Sequence, residues 1–301
     1  MAGAARAGMA NPAMLLALGT IWGLSNPLTK LALEEVQTFA FAFWQVTLAL
    51  AVLSAIALAR RSRPPLGRRH LRYYLFTGLI GLALPGLNIA IVVQHIPAGL
   101  MSAIVSTAAL FTYVLAVALR QERFHWLRAG GVLLGLAGAL AILVPRTSLP
   151  GADMTGWVLM AMLTPLCYGI NGVFAERFMP DDAGSGTMAC GLLATASLFY
   201  LPVMVASGQA SLPLPPVWPS TYALYALALG ACGAYLLYFR LIRHAGPVFM
   251  SQVGYIVVAI GIIGGMLIFG ERYSLWVWGG MALLVAGVTL VNAGQDARHP
   301  A

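Results

Sequence analysis

HIPAGLMSAIVSTAALFTYVLAVALRQERFHWLRAGGVLLGLAG, residues 95–138, lies without a gap on HAGPVFMSQVGYIVVAIGIIGGMLIFGERYSLWVWGGMALLVAG, residues 244–287, at an offset of 149. His95 meets His244, Met101 and Ser102 meet Met250 and Ser251, and Glu122 and Arg123 meet Glu271 and Arg272. Gly130, Gly131 and Gly138 fall on Gly279, Gly280 and Gly287, and Leu134 and Ala137 bring the identities to ten in 44 positions. The offset continues towards the N-terminus, pairing Tyr73 with Tyr222 and Gly81 with Gly230. Self-similarity at a fixed offset marks a duplicated unit, here 1–148 and 149–301.

Around this repeat the chain is 60% hydrophobic and only 9% charged over 301 residues, with a mean hydropathy of +0.85. A soluble protein carries about 25% charged residues, so the composition is that of a polytopic membrane protein. Apolar stretches long enough to cross a hydrocarbon core of about 30 Å as helices occur ten times, near 13–33, 38–59, 72–93, 98–119, 126–144, 154–175, 186–206, 220–241, 247–269 and 274–292. The short alternating segments of a β-barrel are missing. The first stretch holds Asn26, Pro27 and Lys30 and has no small-residue cleavage site behind it, so it reads as a retained helix and not a signal peptide. Cys167, Cys190 and Cys232 all fall inside apolar stretches, where cysteine acts as a small hydrophobe. No disulfide framework, metal site or cofactor is expected.

The net charge of +8 is explained by topology without nucleic acid. With the N-terminus in the cytoplasm, 14 of the 17 basic residues, including the run from Arg60 to Arg72, fall inside, and only Lys30, Arg146 and Arg272 outside. Such an excess is the positive-inside pattern. Five crossings per repeat, an odd number, mean that the second copy enters the membrane from the opposite side. The expected fold is an all-α integral membrane protein of ten transmembrane helices in two inverted five-helix repeats, with both termini cytoplasmic in a bacterial inner membrane.

Inverted halves related by an axis in the membrane plane suit alternating access, in which a central site opens to either side in turn. A transporter is therefore the first functional expectation, and a membrane enzyme or scaffold the rival from another class. Catalysis is disfavoured by what the sequence lacks. The nearest serine-protease-like string, Gly184-Ser185-Gly186, lies at a helix start beside Asp181 and Asp182, and no paired aspartates stand inside a span. All nine acidic residues sit at span ends or in loops. A carboxylate relay at mid-membrane is absent, so facilitative transport or exchange is expected.

Several strings resemble a known group. Trp22-Gly23 followed by Asn26-Pro27 in the first span, Phe269-Gly270-Glu271-Arg272 before a glycine-rich tenth span, and Glu122-Arg123 as its first-half counterpart are similar to the EamA family of the drug/metabolite transporter superfamily. The resemblance covers nearly the whole chain, and its layout is most similar to the aromatic amino-acid exporters of the YddG type. It implies export of small metabolites, amino acids including aromatic ones, through a cavity between the halves. Phosphorylated cargoes handled elsewhere in the superfamily need several cations, and the spans offer only Lys30. A multidrug or quaternary-ammonium exporter is the alternative within transport. The expected partners are the small-molecule cargo and the lipid bilayer, with the chain a monomer or homodimer.

Polar and aromatic groups inside spans should face the bundle interior, because lipid penalises them. Trp22 and Asn26, four apart, and Tyr168 and Asn171, three apart, each share a helical face. Pro27 and Pro165 beside them would each free a backbone carbonyl to which a substrate ammonium could bind. Ser102 lies on Ser251 under the repeat offset, with Gln252 and Tyr255 in the same span, and Pro85 and Asn88 in the third span lie at the depth of Tyr235 and Tyr238. These twelve residues are the candidate substrate-binding set, Trp22, Asn26, Pro85, Asn88, Ser102, Tyr168, Asn171, Tyr235, Tyr238, Ser251, Gln252 and Tyr255. Packing is the alternative role for each, above all for the serines and tyrosines. Five tryptophans flank span ends, leaving Trp22 and Trp44 as the deeper pair. The Glu-Arg pairs, Glu122-Arg123 and Glu271-Arg272, are expected to cap or pair between helices, with a gate as the alternative role. Gly131, Gly135 and Gly138, with Gly261 and Gly265, form small-residue stripes for close helix approach, within the chain or between two copies.

Overall fold

The computed structural model describes residues 2–61, 64–121, 123–143, 154–180, 182–251 and 253–296. Their side chains are described except at 2–11, 139, 140, 142, 143, 176, 242–251, 255, 288 and 291–296. Among the described residues every regular element is a helix. In order they are α1 (Ala2–Ala32), α2 (Thr38–Ala59), α3 (Arg68–Gly78), a π-helical turn (Leu79–Ala83), α4 (Leu84–Val92), α5 (Ala98–Ser106), α6 (Ala108–Ala118) and α7 (Trp126–Leu143). There follow α8 (Met154–Ala161), α9 (Leu163–Phe178), α10 (Ser185–Ala206), α11 (Ser220–Ser251), α12 (Val253–Phe269) and α13 (Leu275–Asp296). Among the described residues six helical runs are long and apolar enough to cross a membrane: 38–59, 68–92, 98–118, 154–175, 185–206 and 220–241. Shorter apolar helices cover Trp126–Gly138, Ile256–Phe269 and Leu275–Gly287.

Three of the apolar runs are interrupted, each for a local reason. Pro85 has no N–H to give to the carbonyl one turn earlier, and the helix before it widens into the π turn. Tyr200 closes the gap by donating its hydroxyl to the Ala83 carbonyl at 2.6 Å. Between α5 and α6 the hydroxyls of Ser106 and Thr107 turn back onto the carbonyls of Ala103 and Ile104, both at 2.7 Å, in competition with the helical ladder. Pro165 likewise removes a donor just after the break at Met162 that separates α8 from α9.

Glycines set the approach of the helices. Gly19, Gly23 and Gly264 face Ile256, Ile260 and Pro27 respectively, so α1 and α12 run parallel and touch backbone to side chain. In α7 and α13 the stripes face each other within one chain. A Cβ at Gly138 would stand 2.7 Å from the Gly280 carbonyl, and one at Gly287 would stand 2.6 Å from the Gly131 carbonyl. Those two contacts exchange into one another under the 149-residue offset. In lipid there is no hydrophobic drive between helices, so such close packing carries the association.

Two large clusters of buried side chains result. One gathers α2, α3, α9, α10 and α11 around Tyr73, Tyr74, Leu193 and Tyr200. The other gathers α4, α5, α8, α12 and α13 around Ile96, Met101, Ile104 and Leu284. Both mix elements from the two halves of the sequence. Lys30, at the end of α1, meets the turn after α12, and Arg60, Arg61, Arg68, Arg69 and Arg72 lie at the opposite end of α2 and the start of α3. These are called the lysine end and the arginine end.

Candidate functional site

Between α1, α9 and α11 the aromatic side chains converge. The Trp22 ring lies 5.6 Å from that of Tyr238, tilted by 49°. Tyr235 stands in the neighbourhood of Tyr168, Tyr200 and Tyr238. Tyr200 is buried and spends its hydroxyl on the π turn. Trp22, Tyr168, Tyr235 and Tyr238 are only partly buried, although their helices are packed on several sides. Among the described residues, the hydroxyls of Tyr168, Tyr235 and Tyr238 have no hydrogen-bond partner. Asn171 extends the group towards the π turn, where its amide lies flat against Gly81, 2.5 Å from where a Cβ would stand there. Its Oδ1 is buried without a partner. These partly exposed rings, called the aromatic chamber, carry hydroxyls without a partner among the described residues, with the enclosed Asn171 amide beside them. Rings of this kind offer stacking surfaces and a cation–π attraction of about 0.5–2 kcal/mol.

Above the chamber towards the lysine end, α1 continues on the same face. Asn26 donates through Nδ2 to the Ser102 hydroxyl at 2.9 Å, and Ser102 donates in turn to the Ala98 carbonyl at 3.1 Å. Both are buried, at 3% and 0% exposure. Gly261 closes over Ser102, where a Cβ would overlap the hydroxyl at 2.1 Å. One turn further, the Lys30 ammonium bonds Glu271 Oε1 at 3.2 Å and lies 4.9 Å from the Phe269 ring centroid. Glu271 also accepts the Ala98 N–H at 2.7 Å, the Gly99 N–H at 3.2 Å and the Tyr273 hydroxyl. The first N–H groups of any helix lack intrahelical partners. Pro97, the residue before α5, has no side-chain oxygen to give them, and Glu271 supplies one from the other half of the chain. Gly270, in the left-handed region at φ 62°, ends α12 and aims Glu271 back into the protein. Burial, and then the bond to Glu271, pushes the Tyr273 hydroxyl well up, so it remains a donor.

At the arginine end the halves meet more loosely. His70 Nε2 and Asp182 Oδ1 lie 2.9 Å apart, with the Asp182 side chain 67% exposed. That hydrogen bond holds the Asp182 carboxyl below its ordinary range.

The family model described as the EamA-like transporter family matches the chain twice, over residues 11–144 and 155–293. The chain belongs to the EamA-like transporter family. Among relatives of this EamA-like chain, an uncharacterized inner membrane transporter, YedA, of Escherichia coli K12 is 24% identical over 93% of this chain and 90% of its own length. A riboflavin transporter of Brucella anthropi is 24% identical over 87% of this chain and 89% of its own. A probable terminal-alkyne amino-acid exporter of Streptantibioticus cattleyicolor is 23% identical over 90% of this chain and 89% of its own. With its run of apolar helices, the EamA-like chain is a multi-pass membrane protein of a transporter family.

The candidate residues of this EamA-like transporter divide into distinct places. Trp22, Tyr168, Asn171, Tyr235 and Tyr238 come together in the chamber. Asn26 and Ser102 bond each other in a dry seam. The Gly23 carbonyl freed by Pro27 faces Gly261, at 3.2 Å from where its Cβ would stand, and not an open site. Asn88 is buried and gives its Nδ2 to the Met160 carbonyl and the Thr164 hydroxyl, both at 2.9 Å, so it mends the α8–α9 break; Pro85 beside it is buried. Gln252 lies outside the described residues, as do the side chains of Ser251 and Tyr255. Trp44 does not join Trp22 in depth, because its Nε1 donates to the Ser211 carbonyl in the loop after α10, at 2.7 Å. Two residues outside the candidate set belong with the site: Tyr200, legible only once the π turn is known, and Glu271, which Pro97 and the repeated Glu-Arg together point to.

Proposed function

We propose that this protein exports small amphipathic metabolites, amino acids including aromatic ones, by alternating access of two inverted five-helix halves around the aromatic chamber. The observation that carries the reading is the meeting of Trp22 from the first half with Tyr238 from the second, beside Tyr168 and Tyr235, with three hydroxyls that have no partner among the described residues. A planar or apolar side chain would stack on these rings, and its polar end would find the hydroxyls. The inverted arrangement is supported by the reciprocal Gly138–Gly280 and Gly287–Gly131 contacts, since an axis in the membrane plane generates contact pairs of that kind. A relative named as an amino-acid exporter favours the substrate class, and a riboflavin transporter agrees with a planar aromatic cargo. With no acid at mid-membrane to relay protons, transport is facilitative.

The test is release of a labelled amino-acid panel, riboflavin and a quaternary-ammonium dye from proteoliposomes, with and without a pH gradient. The expected outcome is release of aromatic amino acids that ignores the gradient and falls at least about tenfold in Trp22→Ala, as loss of a main stacking contact would give. Release of the dye alone would replace this reading with the cationic-drug one, and uphill uptake driven by the gradient would refute facilitation.

A further inference from the structure

Resting on that two-state reading, we propose that Lys30, Glu271 and the first turn of α5 are the gate at the lysine end, closed in this structure and released when the chamber opens to that side. The contacts join the halves, for Lys30, Ala98 and Gly99 come from the first and Glu271 and Tyr273 from the second. They also stand in line with the chamber. Trp22, Asn26 and Lys30 follow at four-residue steps on one face of α1, each about one helical turn above the last. The column therefore runs from a chamber wall, through the dry Asn26–Ser102–Gly261 seam, to a charged lid.

The chemistry of the lid suits a contact that must break. In the closed gate the Glu271 carboxylate is nearly enclosed and Lys30 is one quarter exposed, whereas in open water the same pair is worth little because both charges are hydrated. When the seam floods, Lys30, the Glu271 carboxylate and the α5 amides each find water in place of each other, so the open state leaves no group orphaned. An apolar seam at this place would resist wetting. Glu271, with a side chain 8% exposed, accepts from four donors, three of them from the other half of the chain. Losing its hold would release α1 and α5 together. In the His70–Asp182 contact at the arginine end it is the carboxylate that is open to solvent, with its side chain 67% exposed.

The gate is tested by labelling a cysteine placed in the chamber, Tyr235→Cys, with a membrane-impermeant maleimide. Intact cells expose one end of the protein and inverted membrane vesicles the other. Labelling of the native thiols, measured in the chain without that substitution, is subtracted. In the parent, labelling from the lysine end should be slow; Glu271→Gln should raise it about tenfold, as loss of one charge-assisted contact shifts a two-state balance. Tyr273→Phe, which keeps the carboxylate and removes one donor, should raise it less, and it decides the matter if Glu271→Gln does not fold. Parent-like rates from the lysine end in the folded variants, with labelling from the arginine end intact, would make this a static joint and overturn the gate alone. Labelling from neither end in any variant would overturn the chamber itself, and the transport reading with it.

Discussion

Asn88 and Tyr235 both place a polar group inside a span, yet they should respond oppositely to substitution. The Asn88 Nδ2 donates to the Met160 carbonyl and the Thr164 hydroxyl at the bend between α8 and α9, although its Oδ1 is buried without a partner among the described residues. Asn88→Leu would leave that carbonyl unpaired in apolar surroundings, at a cost of about 1–3 kcal/mol. Thermal unfolding of the purified protein in detergent should show a lowered midpoint. The Tyr235 hydroxyl has no partner among the described residues, so Tyr235→Phe removes nothing the fold depends on and should melt with the parent while slowing release. Sequence alone could not separate the two. The cost of a polar group in lipid says only that both face inward, whereas the division between a partnered and a free group depends on Pro165 and the π turn bringing α4 and α9 together. The same limit applies to Asn26 and Ser102, chosen as contacts for a ligand and found satisfying each other at 2.9 Å.

Among the elements, the glycine stripe of α7 was legible as a surface for close approach, but its partner was not: it packs on Gly280 and Gly287 of α13, whereas Gly261 and Gly265 of α12 close over Ser102 and Glu271. The choice between a contact within the chain and a contact between copies was open too, and the structure closes α7 on α13. Gly287→Leu is the sharper probe of that seam than a change at Gly279, which has nothing within 4 Å of its Cβ position. At Gly287 the new Cβ would stand 2.5 Å from the Gly135 amide nitrogen and 2.6 Å from the Gly131 carbonyl. Those are backbone atoms that cannot rotate away, so the helices must separate, at about 1–3 kcal/mol or more for overpacking. The expected result is a lower yield of monodisperse protein and a depressed melting midpoint for Gly287→Leu, with Gly279→Leu close to the parent. Element boundaries were less legible: the breaks at Thr107 and Met162 and the π turn at Leu79–Ala83 fall inside stretches that read as single apolar runs. Hydropathy is blind to where a hydrogen-bond ladder is interrupted.

For the molecule as a whole, the orientation rests on an asymmetry that the fold keeps. Arg60, Arg61, Arg68, Arg69, Arg72 and Arg177 lie at one end, and Lys30 with its partner Glu271 at the other. Positively charged flanks are retained on the cytoplasmic side during insertion, and on that rule the arginine end is predicted to lie inside and the loop of residues 207–219 outside. Five crossings per half would then leave both termini inside, and this is the point at which the inverted arrangement is exposed to refutation. A fluorescent protein that matures only in the cytoplasm, fused after Ala301, should be bright, and a phosphatase active only outside should work when inserted after Gln209 and fail after Arg61. Arg61 and Gln209 correspond under the 149-residue offset to within one residue, so if the phosphatase worked at both places or failed at both, the halves would enter from the same side and could not be inverted copies. Alternating access by exchange of two equivalent halves would lose its geometric basis, because two copies entering from the same side carry no axis in the membrane plane to exchange inward-open with outward-open.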